Sequence, residues 1–378
     1  MERNLGSIVI TGGAGFIGQH LVSKLKYLSD KAIKVIDNLS TQVHGTQPNL
    51  SFAKGVQFYH EDIRDTEKME SILFDAEIII HLASETGTGQ SMYSVDRYLD
   101  SNISGTNVLL GAIQSSNAPV KKIILASSRS VYGEGQYVCE SHGVIEPSIY
   151  QNNPLQKSGY NYLCPYCKSK LTPQATSENC SLMPVSLYAA TKLMQEQLVS
   201  FFCERLGIEY SILRFQNVYG PGQSLKNPYT GILSIFSVLA NHGETIEIYE
   251  DGHQSRDFVH VKDVVDTIYF STLETKTPPY MNVGSGTATS VLDVATGINK
   301  FFQNNGNIDM SNFFRQGDIR HNFADVSLLG SKGLKFIDFS KGLAEFLEEI
   351  KPGLKNEHSS YLKSRSEAIK FGILKHAK

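Results

Sequence analysis

Along the first 130 positions, short runs of β-branched and aliphatic residues alternate with segments whose apolar residues return at helical spacing. The strand-like runs lie near 7–11, 33–38, 56–60, 77–83 and 122–128, and the helical patterns between them cover about 15–28, 66–74 and 96–116. This alternation predicts βαβ units, and so a parallel sheet with helices on both faces. After residue 130 the rhythm breaks. Residues 133–182 are rich in Gly, Pro, Ser, Asn and Tyr, have no sustained period, and read as an inserted excursion. A long amphipathic helix over about 184–206 and a strand near 209–214 follow, then loops and short elements of the kind a smaller lobe would use. The expected fold class is α/β, a doubly wound parallel sheet over 1–215 that contains the excursion. A substrate lobe is expected mainly over 216–350. Residues 351–378 carry seven Lys/Arg against two Glu and read as a partly helical, solvated extension.

The first strand ends in Thr11-Gly12-Gly13-Ala14-Gly15-Phe16-Ile17-Gly18, which opens directly into the first helix. The glycines at 12, 15 and 18 have the spacing of a phosphate-binding turn in a Rossmann-type sheet. Gly12 lets the chain reverse, Gly15 lets backbone approach a pyrophosphate, and Gly18 lets the helix pack on the strand. The N–H groups of the first helical turn, at Phe16 and Ile17, then point at the phosphates. The second strand ends in Asp37-Asn38, nineteen residues after Gly18, where an acidic side chain bonds the adenosine ribose and repels a 2′-phosphate. The expected cofactor is therefore NAD rather than NADP.

Bulk properties fit that class. The chain has 378 residues, 35 Lys+Arg, 38 Asp+Glu and a formal net charge of −3, so no general attraction to nucleic acid or anionic membrane is expected. No apolar run approaches the ~20 residues that span a bilayer, and Met1-Glu2-Arg3-Asn4 lacks a signal-peptide core, which points to a cytoplasmic protein. Tyr188 and Lys192 are four residues apart on one face of the long helix. A nearby ammonium would lower the phenol pKa from ~10 toward the working range, and Lys192 could also hold the nicotinamide ribose. Ser127-Ser128-Arg129-Ser130-Val131-Tyr132-Gly133 lies at the carboxyl end of the fifth strand, the end where α/β sheets bind ligands.

The excursion carries a separate signal. Cys139-x-x-His142 precedes Cys164-Pro165-Tyr166-Cys167, two close pairs split by a loop, as in a closed Cys3His zinc site. The other reading is four loop residues that never meet. Cys180 could replace His142 as fourth ligand, and Cys203, within the long helix, reads as a small buried hydrophobe. Any zinc here would be structural.

Taken together the motifs resemble the extended short-chain dehydrogenase/reductases of the nucleotide-sugar epimerase/dehydratase family. The resemblance rests on Thr11–Gly18, Asp62-Ile63, His81–Ser84, Ser127–Gly133, Tyr188–Lys192, Arg214–Pro221, Arg256–Val261 and Arg315–His321. It implies that Asp62 and Ile63 edge the adenine pocket and that Leu82 and Ala83 pass beside the cofactor. It makes Ser128, Tyr188 and Lys192 the catalytic set. It also implies that Asn217 contacts the nucleotide sugar, that Arg129 sits where sugar choice is made, and that Arg256 and Arg315 clamp the diphosphate. Members commonly form homodimers. The family's 4,6-dehydratases carry Asp-Glu directly after the catalytic residue; this chain has Arg129-Ser130, so water elimination lacks its acid/base pair. The stretches Ser130–Gly135, Tyr137–Gly143 and Asn217–Gly231 are similar to dTDP-L-rhamnose 4-epimerases and related dTDP-6-deoxyhexose enzymes of cell-surface polysaccharide synthesis. Three functions remain open: 4-epimerase through a 4-keto sugar, NAD(P)H-dependent reductase of a dTDP-4-dehydro-6-deoxyhexose, or a silent NAD sensor. The sensor would have lost Ser128, Tyr188 or Lys192, and all three are present.

Overall fold

A computed structural model describes residues 6–26, 33–46, 50, 52–147, 160–225, 231–303, 306–311, 313–315, 317–356 and 365–376. Residues 27–28 of the expected first helix, 148–159 of the excursion, 226–230, Gln316, and 357–364 and 377–378 of the extension lie outside the described residues.

The alternating region forms β1 (Ser7–Thr11), β2 (Ile33–Ile36), β3 (Val56–Tyr59), β4 (Ala76–His81) and β5 (Lys122–Ser128). The excursion forms β6 (Gln136–Cys139), β7 (Gly143–Ile145) and β8 (Thr172–Gln174), and the chain returns as β9 (Glu209–Phe215). Then come β10 (Asn217–Tyr219), β11 (Ile246–Tyr249), β12 (Ser255–Arg256), β13 (Phe258–His260) and β14 (Tyr280–Val283). The central sheet is parallel and seven-stranded, in the order β14-β9-β5-β4-β1-β2-β3. The reversal of direction at β1 makes a crevice at the carboxyl ends of β1 and β4.

Strand periodicity divides the core. Ile8 and Ile10 of β1 face Leu21, Val22 and Leu25 of the Phe16–Leu25 helix, together with Val264, Val265 and Ile268 of the Val261–Leu273 helix. Val9 faces the other way, toward Met69, Leu109, Ile113, Val199 and Cys203. Cys203 is indeed a small buried hydrophobe. Because Val261–Leu273 and β14 join the sheet layers, the lobe expected over 216–350 is interrupted by a return to the main body. Its own core gathers the helices Ile232–Asn241, Val291–Phe302 and Phe339–Ile350 around β11.

The described part of the excursion is an insertion with its own antiparallel sheet, in the order β7-β6-β8, over a cluster of Tyr137, Cys139, Tyr162, Cys164 and Leu171. Its strands of three or four residues are too short to show a period. One expectation needs correction: the described end of the C-terminal extension, 365–376, begins as the expected helix but is docked on the protein rather than solvated. After β15 (Thr289–Ser290), β16 (Ile308–Ser311), β17 (Phe313–Arg315) and β18 (His321–Asn322), the last strand β19 (Leu374–His376) pairs antiparallel with β17. Phe371 stacks on Tyr93 at 4.4 Å, Arg365 pairs with Glu247, and Ile373 and Leu374 are buried. A few apolar residues among the lysines suffice to dock it.

The long helix, Leu187–Leu206, begins at Ser186, whose hydroxyl accepts the Ala189 N–H, and ends at Gly207 in the left-handed region, φ +67°. A buried ion pair sets its register on the sheet. Arg214 of β9 donates from Nε and Nη2 to the two oxygens of Glu196 at 3.1 and 2.8 Å, and both side chains are almost wholly buried. Ser127 donates to the same carboxylate. Arg214 Nη1 donates to the Tyr132 hydroxyl at 2.9 Å, which donates to Asn282 Oδ1 at 2.7 Å. Removing one partner leaves a buried charge alone. Arg214→Met should therefore lose ~3–5 kcal/mol in urea unfolding, and adding Glu196→Leu should restore much of that loss. A single-variant loss indistinguishable from zero would show that the pair does not hold the helix.

Candidate active site

The glycine turn has the form its spacing predicts. Gly12 has φ +68°, and a Cβ there would lie 2.6 Å from the Ala83 nitrogen, so glycine is required where β1 passes the end of β4. Leu82 and Ala83 are held there by N–H bonds to the Thr11 carbonyl and hydroxyl. Gly15 caps the Phe16–Leu25 helix without a side chain of its own, and a Cβ on it would meet only the Gly12 carbonyl, at 3.2 Å. Phe16 and Ile17 turn their side chains onto the core, which leaves the backbone as their outward face. Gly18 differs from expectation: its missing Cβ makes room for the backbone of Gly13, 2.5 Å from where the carbon would stand, rather than for the strand. The turn packs on its own helix.

Asp37 stands at the end of β2, buried, and accepts N–H bonds from Ala14 at 3.1 Å and Leu39 at 2.9 Å. Asn38 donates to Asp62 at 3.1 Å, and the hydrogen bonds of Arg64 hold the Asp62 carboxyl far below the usual range against the effect of burial. Ile63 packs into the space left by Gly105. These residues ring one mouth at the carboxyl ends of β1, β2 and β4. An uncapped helix N-terminus, a cradle without Cβ atoms and an acidic strand end fit a dinucleotide.

Ser128 ends β5 beside the half-buried phenol of Tyr188, whose ionisation its hydroxyl favours. Ser128 Oγ also accepts from the Ser130 N–H and hydroxyl at 3.2 and 3.0 Å. Burial pushes the Tyr188 phenol up, while the Ser128 hydroxyl and the charge of Arg129 pull it down. Arg129 is thus a cation acting on the phenol that the helical spacing of Tyr188 and Lys192 does not reveal. Lys192 is itself pushed down to about 7 by burial, against the pull of Glu196. Its ammonium donates to Gln195 Oε1 at 2.6 Å and lies 3.4 Å from the Ser84 hydroxyl.

Arg129 spans two centres. Its Nε donates to Asn217 Oδ1 at 2.8 Å, while Nη1 is buried without a hydrogen-bond partner among the described residues. Burial and the nearby Arg256 push its pKa down to about 10. Arg256 is largely committed, donating to the carbonyls of Ser255 and Arg320 at 2.9 Å and to Asp318 at 3.1 Å. Burial raises the Asp318 carboxyl, but Arg256, Arg315 and Arg129 bring it below the ordinary value. Arg256, Arg315 and Asp318 line one cavity with Gln90, Tyr249 and, from the C-terminal segment, Arg365. In the excursion, ligand atoms of Cys139, His142, Cys164 and Cys167 all lie within 4.8 Å of one another. Cys180 packs elsewhere, with Val131 and Tyr132.

Several positioning groups were missed. Asn102 sits buried on a π-helical turn, Leu99–Ser104, and donates to Thr191 Oγ1 at 3.0 Å while accepting from Ser84 and Glu85. A period slip inside the 96–116 pattern is the only sequence trace of such a turn. Ser91 Oγ accepts the Tyr188 N–H at 3.0 Å. His81, fully buried, bonds Thr11 at 2.7 Å and Thr106 at 2.9 Å.

A sequence model of the NAD dependent epimerase/dehydratase family matches residues 8–284. The chain is 37% identical over 333 residues to the dTDP-L-rhamnose 4-epimerase of Burkholderia thailandensis, covering 85% of this chain and 87% of that protein. Its fold is similar to the crystal structure of UDP-glucose 4-epimerase from Thermotoga maritima with UDP-glucose. There the TM-score is 0.75 at 28% identity, over 92% of this chain and 100% of that one. MoeE5 in complex with UDP-glucuronic acid and NAD gives a TM-score of 0.71 at 27% identity, over 92% of this chain and 100% of the other. No helix among the described residues is long and apolar enough to cross a membrane.

The buried histidine makes stability pH-dependent. Burial first, then Lys192, pushes His81 down to about 3 from 6.5. Between those values the unfolded chain binds the proton and the folded one does not, so stability falls as pH drops from 6.5 toward 3. The slope is up to about 1.4 kcal/mol per pH unit from this group. Urea midpoints at pH 7, 5.5 and 4.5 should decline in that order; a flat series would mean that His81 charges freely in the fold.

Proposed function

The chain belongs to the NAD dependent epimerase/dehydratase family, and from that membership we propose that it is a 4-epimerase of a dTDP-6-deoxyhexose. It is an NAD-dependent enzyme with a nucleotide-sugar substrate. The observation that carries the finer reading is the corner of Ser128, Tyr188 and Arg129. A phenol beside a serine hydroxyl and within the field of a guanidinium suits proton exchange at a sugar hydroxyl. Arg129 and Ser130 stand after Ser128, where elimination of water needs carboxyl groups.

In this reading Gly12, Gly15, Phe16, Ile17 and Gly18 hold the pyrophosphate of NAD through backbone. Asp37 and Asn38 hold the adenosine ribose, and Asp62, Ile63, Leu82 and Ala83 wall the adenine side. NAD, when bound there, would supply the reversible hydride acceptor for C4 of the sugar, with the intervening 4-keto sugar free to present its other face. Tyr188 accepts the O4 proton as hydride leaves and gives it back as hydride returns. Ser128 orients that oxygen, and Arg129 steadies the phenolate. Lys192, held by Gln195 and Ser84, binds the nicotinamide ribose. Asn217 orients the nucleotide sugar, and Arg256 and Arg315 meet the diphosphate, with guanidinium forks matched to phosphate oxygens. Cys139, His142, Cys164 and Cys167 hold a structural zinc ion for which hydride transfer has no use. Met194 and Phe201, seven residues apart on the long helix and 49% and 68% exposed, support pairing of two copies as a homodimer. The product would serve cell-surface polysaccharide synthesis.

The enzyme incubated with dTDP-L-rhamnose and no added NADH should give a mixture of C4 epimers by NMR. Product only on addition of NADH would instead identify a reductase. Tyr188→Phe should lower turnover by ~10²–10⁴ while NAD binding persists. Arg129→Met removes a cation that lowers the phenol pKa, so the rate should need a higher pH than in wild type; an unmoved pH profile would remove Arg129 from the mechanism. Because Asp37 also bonds Ala14, its test is a ratio: Asp37→Ala should weaken NAD binding more than NADP binding. A wild-type preference for NADP would overturn that assignment.

A further inference from the structure

The excursion is too small to hold itself together by burial. Two of the five residues in its buried cluster are cysteines, and none of its described strands exceeds four residues. A unit of that size needs a cross-link or a metal.

Its thiols and imidazole already have the right spacing. Cys139 Sγ lies 3.6 Å from Cys167 Sγ and 3.5 Å from His142 Nδ1, and Cys164 Sγ lies 3.5 Å from the same nitrogen. Tetrahedral zinc with Zn–S bonds of ~2.3 Å separates its ligand atoms by ~3.8 Å. The backbone is wound to present them. Lys168 has φ +63°, its N–H donates to the Cys164 carbonyl at 3.0 Å, and the Cys164 N–H donates to Ser169 O at 2.8 Å. This tight turn aims both thiols of the Cys164–Cys167 pair at the same point. His142 comes from the turn that leaves Cys139, its N–H bonded to the Cys139 carbonyl at 3.3 Å.

What the cluster braces can be followed bond by bond. Tyr137 precedes Cys139 by two residues on β6 and so shares its face of the strand. The Tyr137 hydroxyl donates to Glu134 Oε2 at 3.1 Å. Glu134, 2% exposed, accepts the backbone N–H of Arg320 at 2.9 Å and that of His321 at 3.4 Å. The Arg320 carbonyl accepts Arg256 Nη1 at 2.9 Å, and Arg256 Nη2 reaches Asp318. The path therefore runs from the four ligands to the arginine cavity without a gap.

We propose that Cys139, His142, Cys164 and Cys167 hold one zinc ion, and that this ion fixes the brace from Tyr137 through Glu134 to Arg320 that presents Arg256 and Asp318 to a nucleoside diphosphate. The second half rests on the nucleotide-sugar reading above. Hydride chemistry makes no use of the metal; it is a staple for the substrate loop.

The test pairs metal content with binding of dTDP and of NAD, on the full chain purified without chelator. Wild type should carry one zinc per chain, Cys164→Ser should lose it, and His142→Cys should keep it. Loss of zinc should weaken dTDP binding by ~10–100-fold, the range for groups that support a site at one remove, with NAD binding little changed. Tyr137→Phe should keep zinc yet weaken dTDP binding, which separates the brace from any folding defect of Cys164→Ser. Zinc-free wild type, or a Cys139–Cys167 disulfide in its place, overturns the site. Full zinc with dTDP affinity indifferent to its removal and to Tyr137→Phe overturns the brace. Zinc-loaded wild type that binds neither dTDP nor UDP overturns the nucleotide-sugar reading and the brace with it, while the zinc count still upholds the metal site.

Discussion

One carboxylate withdrawn from water fixes the geometry of the reaction corner. Glu196 is four residues beyond Lys192 and eight beyond Tyr188 on a single helix, and it bonds both Arg214 of β9 and Ser127 of β5. Ser127 adjoins Ser128. The same oxygens therefore set how far along the sheet the helix sits and how far the strand end lies from the phenol. A buried pair gives little net stability, but a wrong register would leave both charges unpaired, which strongly disfavours it. Further up the helix, the bond from Asn102 to Thr191 and the bond from the Tyr188 N–H to Ser91 repeat the constraint with neutral groups.

Burial, more than pairing, sets the protonation of that corner. It pushes Tyr188 up and Lys192 and Arg129 down, so each ionisable group is held toward its neutral form until something charged arrives. Arg129 couples the corner to the arginine cavity, because it acts on the phenol and shares the surroundings of Asp318 with Arg256 and Arg315. Asp318 is the internal counter-ion of that cavity.

The parts that were legible from sequence are those where one residue type is forced. Gly12 must be glycine because a Cβ would strike β4, and Asp37 stands where a strand end meets the turn. Tyr188 and Lys192 were found by helical spacing, but Arg129 is remote in sequence, and only the tertiary fold brings its charge to bear on the phenol. The π-turn at Leu99–Ser104 hides within an otherwise regular pattern, and Asn102 looks like any polar helix residue. The C-terminal segment was illegible because its docking rests on Phe371, Ile373 and Leu374, scattered among lysines, with a partner at Tyr93 nearly 280 residues away.

The two late additions to the fold, excursion and C-terminal segment, solve the same mechanical problem from opposite sides. The cavity lies between a sheet that is rigid because it is buried on both faces and a lobe joined to it by short strands of two or three residues. Two-residue strands such as β12 and β18 have too few ladder bonds to hold a loop carrying three charged groups. On one side Glu134 reaches from the end of the β5 turn to the backbone of Arg320 and His321. On the other, β19 lies along β17 and pairs with Arg315 itself, while Arg365 ties the segment to β11. The loop between Arg315 and His321 is thus gripped at both ends by chain that belongs to neither the lobe core nor the sheet. Binding geometry in this chain is carried by the pieces with the least periodic sequence, because their freedom from sheet and helix register lets them reach across the cavity.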